Sequence, residues 1–175
     1  MFKSPKKTKE PENLEKAYDY AVFLLSLQLR TIGEVIEKMK NRGYPQNIID
    51  EVIARLKVEK ALDDERYAEV FLDNLKQYKN LGYFGIKKKF MMKKLSNDLI
   101  ERVLADGLSL ADELKIAKRF LKKEGVIVKP SANDSNAEDN TYSTYNEAQS
   151  TQKQKLAQKL RARGFRMDVI AKLVF

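Results

Sequence analysis

Apolar residues recur at three- and four-residue intervals along most of the chain. Ala17, Tyr20, Ala21, Leu24 and Leu25 form one stripe, and Ile48, Ile49, Val52, Ile53 and Leu56 a second. Leu99, Ile100, Val103 and Leu104 form a third. Such spacing lines one face of an amphipathic helix. No alternating run bounded by turn residues competes with it. Glycine and proline fall between the stripes, at Gly43-Tyr44-Pro45, Gly82, Gly107 and Gly125. The pattern predicts an all-α chain.

The stripes also repeat. Residues 35–53 fall on 86–104 at a shift of 51 and on 156–174 at a shift of 121, without gaps. Val35, Ile86 and Leu156 then coincide, as do Met39, Phe90 and Leu160, and Tyr44, Leu95 and Phe165. The following helix aligns Ile48, Leu99 and Val169; Ile49, Ile100 and Ile170; Val52, Val103 and Leu173; Ile53, Leu104 and Val174. At 43% apolar content, chance would make the second and third copies match throughout about once in 10⁵ tries. A preceding helix completes each unit: Ala17, Tyr20 and Ala21 match Ala68, Phe71 and Leu72, which match Ala117, Phe120 and Leu121 at a shift of 49. Gly43 and Gly164 coincide where a left-handed residue should end the middle helix, and Lys94 takes that place in the second copy.

Three tandem three-helix repeats are therefore expected, at 13–61, 62–107 and 108–175. Each is too small to bury its faces alone, so the three should stack into an elongated curved array. The Lys-rich residues 1–12 read as a basic disordered tail. The Ser-, Asn- and acid-rich stretch 126–150 reads as a flexible acidic loop interrupting the third repeat.

Composition narrows the chemistry. The 175 residues include no His, Cys or Trp, which removes the usual general base, thiolate nucleophiles and the commonest metal ligands. No catalytic, metal or cofactor site is expected. No apolar run approaches the roughly 18 residues of a membrane span, and the basic N-terminus has no apolar segment behind it, so a cytoplasmic, monomeric protein is expected.

A net charge of +9 favours a polyanionic partner or a protein with an acidic face. Lys76, Lys79, Lys87, Lys88, Lys89, Lys93 and Lys94 lie in a stretch with no acid, the strongest candidate contact surface. The second candidate is Lys155, Lys159, Arg161, Arg163 and Arg166, with Lys153 beside them. The bland alternative for both is a solvated helix face. Tyr83 and Phe84, beside the lysines, suit either base stacking or packing between repeats, and Met91-Met92 suits either a protein-binding patch or a core edge. Asp63-Asp64-Glu65 is better explained as capping and dipole partners of a helix start than as a metal site.

Leu62-Asp63-Asp64-Glu65-Arg66-Tyr67-Ala68 resembles the Leu-Asp-Asp-x-aromatic-Ala segment of the RecX proteins, modulators of the RecA recombinase. Arg30-Thr31-x-x-Glu34-Val35, Arg42-Gly43-Tyr44 and Arg163-Gly164-Phe165 are similar to further pieces of that family, in the same order. The resemblance covers roughly 14–124 and 151–175. It implies a non-enzymatic protein that binds RecA and its nucleoprotein filament and restrains strand exchange, ATP hydrolysis and coprotease function. DNA, single- or double-stranded and without sequence preference, is the second implied partner. Within the resemblance, Leu62, Asp63, Asp64, Tyr67, Ala68, Gly43 and Gly164 are structural markers. The chain departs from the family in Gly82-Tyr83-Phe84-Gly85-Ile86, where arginines are often found, and in the acidic stretch 126–150. The competing readings are a basic helical-repeat DNA-binding protein independent of RecA, and a protein-interaction scaffold.

Overall fold

A computed structural model gives the fold and describes residues 7–124 and 142–174. The described residues form nine helices and no strand: α1 (Leu14–Leu27), α2 (Ile32–Arg42), α3 (Gln46–Val58), α4 (Asp64–Tyr78), α5 (Tyr83–Met91), α6 (Asn97–Gly107), α7 (Leu110–Lys123), α8 (Tyr142–Ala162) and α9 (Met167–Val174). These are the three expected three-helix repeats, α1–α3, α4–α6 and α7–α9. Twenty of the 21 aligned apolar positions are buried; Leu156 is half-buried beside the buried Ala157. Burying an Ile, Leu or Phe contributes about 1.5–3 kcal/mol, so this shared set is the main stabilising term. No described helix is long and apolar enough to cross a membrane.

The residues pack as two units, one carrying the chain up to Phe71 with Lys89–Val103, the other Leu72–Lys88 with Leu104 onward. In the first unit α1, α2 and α3 pack on one another around Ala17, Ala21, Val35, Met39, Ile49, Val52 and Leu56. Thr31 opens α2 with a capping box shared with Glu34. Its hydroxyl also donates to the carbonyl of Lys93, 2.7 Å away. Asp64 accepts from the backbone N–H of Ile32, the first residue of α2, at 2.8 Å. Gly33 lies so close to Lys94 that a Cβ on it would stand 2.6 Å from the Lys94 Cβ.

The second unit builds the same joint one repeat later. The N–H of Gly82 donates to the carbonyl of Arg163 at 3.1 Å, and that of Phe84 to Gly164 at 2.8 Å. Arg163 is the repeat equivalent of Lys93, and Gly82 of Thr31. Glu113, equivalent to Asp64, accepts from the N–H of Tyr83, the first residue of α5, at 3.0 Å. In both units the turn that opens a middle helix docks on the end of the next repeat's middle helix. The acid at the start of that next repeat fills the helix's free N–H.

The docked helix ends share a left-handed residue: Gly43 at φ 98°, Lys94 at φ 59° and Gly164 at φ 78°. The lysine in the second copy thus keeps the conformation the repeat requires, with the strain of a Cβ in that region.

Two expectations about irregular segments are corrected. In the N-terminal tail, the backbone N–H of Thr8 donates to the carbonyl of Arg42 at 2.8 Å, and the Lys7 side chain lies over Gly43. These are the acceptor and the glycine of the joint in the first repeat. An extended segment with a spare N–H takes that place, and Glu10 adds an ion pair with Lys16. Residues 1–6 of the expected tail lie outside the described residues. In the expected loop 126–150, α8 already begins at Tyr142. No Gly or Pro interrupts 142–162, so a helix nucleated by the buried turn at Ala157 and Leu160 extends through polar residues at little cost. Residues 126–141 lie outside the described residues.

Two glycines of this joint should respond differently to alanine. At Gly43 only the positive φ resists, since the nearest atoms to a new Cβ belong to the Lys7 side chain at 3.7 Å; thermal melts should show a loss of about 1 kcal/mol. At Gly82 the Cβ would meet the Phe165 Cα at 2.2 Å, and the joint must open. The expected loss is about 3 kcal/mol or more; equal effects of the two substitutions would contradict the joint.

Candidate binding surface

The lysine-rich stretch follows α4 into α5. Arg119 fixes the end of α4 by donating to the carbonyls of Lys76, Gln77 and Lys79 and to the Asn80 side chain, all within 2.7–2.9 Å. Four acceptors on one guanidinium satisfy the free carbonyls of that helix end and oppose its negative pole. Ile86 and Phe90 turn inward and are fully buried, which sends Lys88 and Lys89 to the exposed side of α5.

The seven lysines divide by their partners. Lys76 donates to the carbonyl of Gly107 at 2.8 Å and pairs with Asp112 at 3.4 Å. Lys93 pairs with Glu34 at 2.8 Å, and its ammonium lies about 6 Å from the rings of Tyr67 and Phe71. The bond to Glu34 holds the Lys93 pKa above the ordinary lysine value, against the cost of partial burial. Lys94 pairs with Glu37 at 2.8 Å, which lowers the Glu37 pKa. The acid missing from the local sequence is thus supplied by α2 for Lys93 and Lys94, and by α7 for Lys76. Lys87 is half-buried and engaged. Lys79, Lys88 and Lys89 are exposed and hold no acid partner among the described residues.

The C-terminal candidates divide in the same way. The Nε of Arg166 donates to Glu113 Oε2 at 2.5 Å and its backbone N–H to Oε1 at 2.8 Å; its guanidinium lies 5.1 Å from the Tyr83 ring centre. Glu113 is completely buried, so Arg166 is the counter-charge a buried carboxylate needs. Arg163 lies 5.0 Å from the Phe120 ring centre. Lys159 pairs with Glu124 at 2.8 Å, lowering the Glu124 pKa. Lys153, Lys155 and Arg161 are exposed without an acid partner among the described residues. Tyr83 packs edge-on against Phe84, while Phe84, Met91 and Met92 are each more than half exposed.

Glu113 and Arg119 carry much of this arrangement, and sequence reasoning passed over both. For Glu113 a signal existed, since the shift of 49 places it on Asp64. For Arg119 the same shift gives Val70, and nothing in the sequence marks it.

With the joint in place, its sequence markers can be compared with those of known proteins. The family described as "RecX, first three-helix domain" matches residues 17–56. A "Regulatory protein RecX" of Haemophilus influenzae is 29% identical over 160 residues, covering 90% of this chain and 92% of the relative. The crystal structure of RecX from Lactobacillus salivarius superposes with a TM-score of 0.69 over 92% of this chain and 94% of that one, at 24% identity. All three comparisons point to one family, RecX, which this chain resembles. The chain spans only part of some relatives: the match to the "Regulatory protein RecX" of Geobacillus kaustophilus, 28% identical over 112 residues, covers 64% of this chain but 41% of the relative.

The markers of the RecX resemblance are parts of the joint and the core. Leu62, Tyr67 and Ala68 are buried. Asp63 accepts from the N–H groups of Glu65 and Arg66 at 2.9 and 3.0 Å, starting α4. Asp64 turns away from its own helix to fill the N–H of Ile32. Burial raises the Asp64 pKa despite that bond. A raised folded-state value contributes stability that is present below the unfolded value and lost as pH rises through the folded one. Asp64→Asn keeps an acceptor without the charge and should change stability by less than about 0.5 kcal/mol at pH 7, while removing that acid-side contribution. Asp64→Ala should cost about 1–2 kcal/mol by leaving the N–H unfilled. Denaturant melts at pH 4 and pH 7 check both; equal losses in Asn and Ala would mean that the charge, not the acceptor, is what α2 needs.

Proposed function

We propose that this RecX-like chain is a non-catalytic regulator that binds the RecA recombinase and its filament on DNA. By changing the stability of the filament it lowers ATP hydrolysis, strand exchange and coprotease activity, in the cytoplasm where recombination takes place. The relatives named regulatory proteins support the regulatory part of the reading. The observation that carries the contact surface is the division of the basic groups. Among the described residues, Lys79, Lys88, Lys89, Lys155 and Arg161 have no acid partner, whereas Lys76, Lys93, Lys94, Lys159 and Arg166 are paired with acids. Groups already paired would lose a partner on binding a polyanion, so the unpaired set is the one available at least cost. Phe84, Met91 and Met92, exposed on and just after α5, supply apolar area next to the charge, as protein contacts require.

ATP hydrolysis by the cognate RecA on single-stranded DNA, with this protein titrated against it, tests the reading. Inhibition should begin well below one molecule per RecA. Lys88→Glu with Lys89→Glu should shift the titration by about tenfold or more, a loss of about 1.4 kcal/mol, with an unchanged melting temperature. Inhibition that appears only once the DNA is saturated would show a basic helical-repeat protein competing for DNA instead. No response to the double reversal would remove α5 from the contact surface.

A further inference from the structure

The first helix of every repeat presents the same solvent-facing slots, which allows three surfaces to be compared at equal structural demand. In α1 the slots hold Glu15, Tyr18 and Val22; in α4, Arg66, Glu69 and Asp73; in α7, Lys115, Lys118 and Lys122. Core packing bears only on Tyr18, which is half-buried against the first repeat's core; the other eight are exposed. The α7 set is exposed, and none of the three lysines has an ion pair among the described residues. At i, i+3 and i+7 they share one stripe about 10 Å long.

This stripe is partly masked in the sequence, because α7 also carries two acids, Asp112 and Glu113, that offset some of its positive charge. The structure turns those acids away. Glu113 is completely buried against Tyr83 and Arg166. Asp112 is held in the capping box with Ser109 and pairs with Lys76. Arg119, the neighbouring base, is spent on the end of α4. Among the described residues, the charges along the stripe are positive, and the partly exposed Asp112 at its start is paired with Lys76.

We propose that the outer face of α7 binds the phosphate backbone of nucleic acid. Two features favour phosphates over an acidic protein. The stripe contains no aromatic or large apolar side chain to anchor a protein interface. Lysines on flexible stems suit contacts that follow a chain of charges without fixed geometry. The contact is sequence-independent, and its affinity depends on salt.

The test uses the full chain and no recombinase, so it stands or falls separately from the regulatory reading above. A fluorescein-labelled thirty-nucleotide oligo(dT) is titrated with wild-type protein and with the triple variant Lys115→Glu, Lys118→Glu, Lys122→Glu over a range of salt. The variant should bind at least about tenfold more weakly at moderate salt, and the slope of log affinity against log salt should shrink by about 2. The triple glutamine variant should move in the same direction by less, which separates lost attraction from a failure to fold; thermal melts of both should match wild type. Unchanged affinity and slope in folded variants overturn the proposal. So does competition by poly-glutamate as effective, charge for charge, as unlabelled oligo(dT), since the surface would then prefer no phosphate.

Discussion

The end of a middle helix has carbonyls that its own helix cannot satisfy, and the start of a middle helix has N–H groups in the same position. The fold solves both problems at one joint. Thr31 and Gly82 donate to the carbonyls of Lys93 and Arg163, while Asp64 and Glu113 accept from Ile32 and Tyr83. Close approach follows from these bonds, and with it the small residues at Gly33, Gly82 and Gly85. Gly82 and Gly85 lie in the stretch where this chain lacks the arginines of the pattern it resembles. Added side chains there would meet Phe165 and the Arg163 carbonyl at 2.2 and 2.4 Å.

The helices and their repeat were legible because burial is a pattern property. Val35, Ile86, Met39, Phe90 and Leu160 are fully buried, as their alignment requires. Gly43, Lys94 and Gly164 were legible as helix ends, and the lysine keeps its positive φ. The joint itself was not read, although Asp64 and Glu113 align. A capping acid is normally assigned to its own helix, and here it serves one 30 residues or more away in sequence. The Thr8 contact was illegible for a related reason: a backbone N–H leaves no mark on composition, and the segment's lysines suggested only solvation.

The candidate surface was half legible. Local sequence identifies lysines without acids nearby, but pairing is decided in three dimensions. Glu34 and Glu37, more than 50 residues before Lys93 and Lys94, neutralise both. The opposite error occurs on α7, where two local acids offset part of the positive charge and the fold buries one of them and caps a helix with the other. Counting charge along the chain therefore overstated one surface and understated another.

Joint and charge are coupled through the same residues. Lys93 offers its carbonyl to Thr31 and its ammonium to Glu34, the second member of Thr31's capping box. Arg166 pairs with Glu113, which fills the first N–H of α5. Paired bases therefore concentrate where repeats meet, and the bases left over lie on faces that the joint does not use. The edge of the first repeat, where another helix start could dock, is taken by Thr8 and Lys7. A polyanion meeting this first unit finds the joint's polar groups already satisfied, so its recognition falls to the exposed helix faces. That separation allows Glu15, Arg66 and Lys115 to occupy equivalent slots with different charges while the buried repeat stays the same.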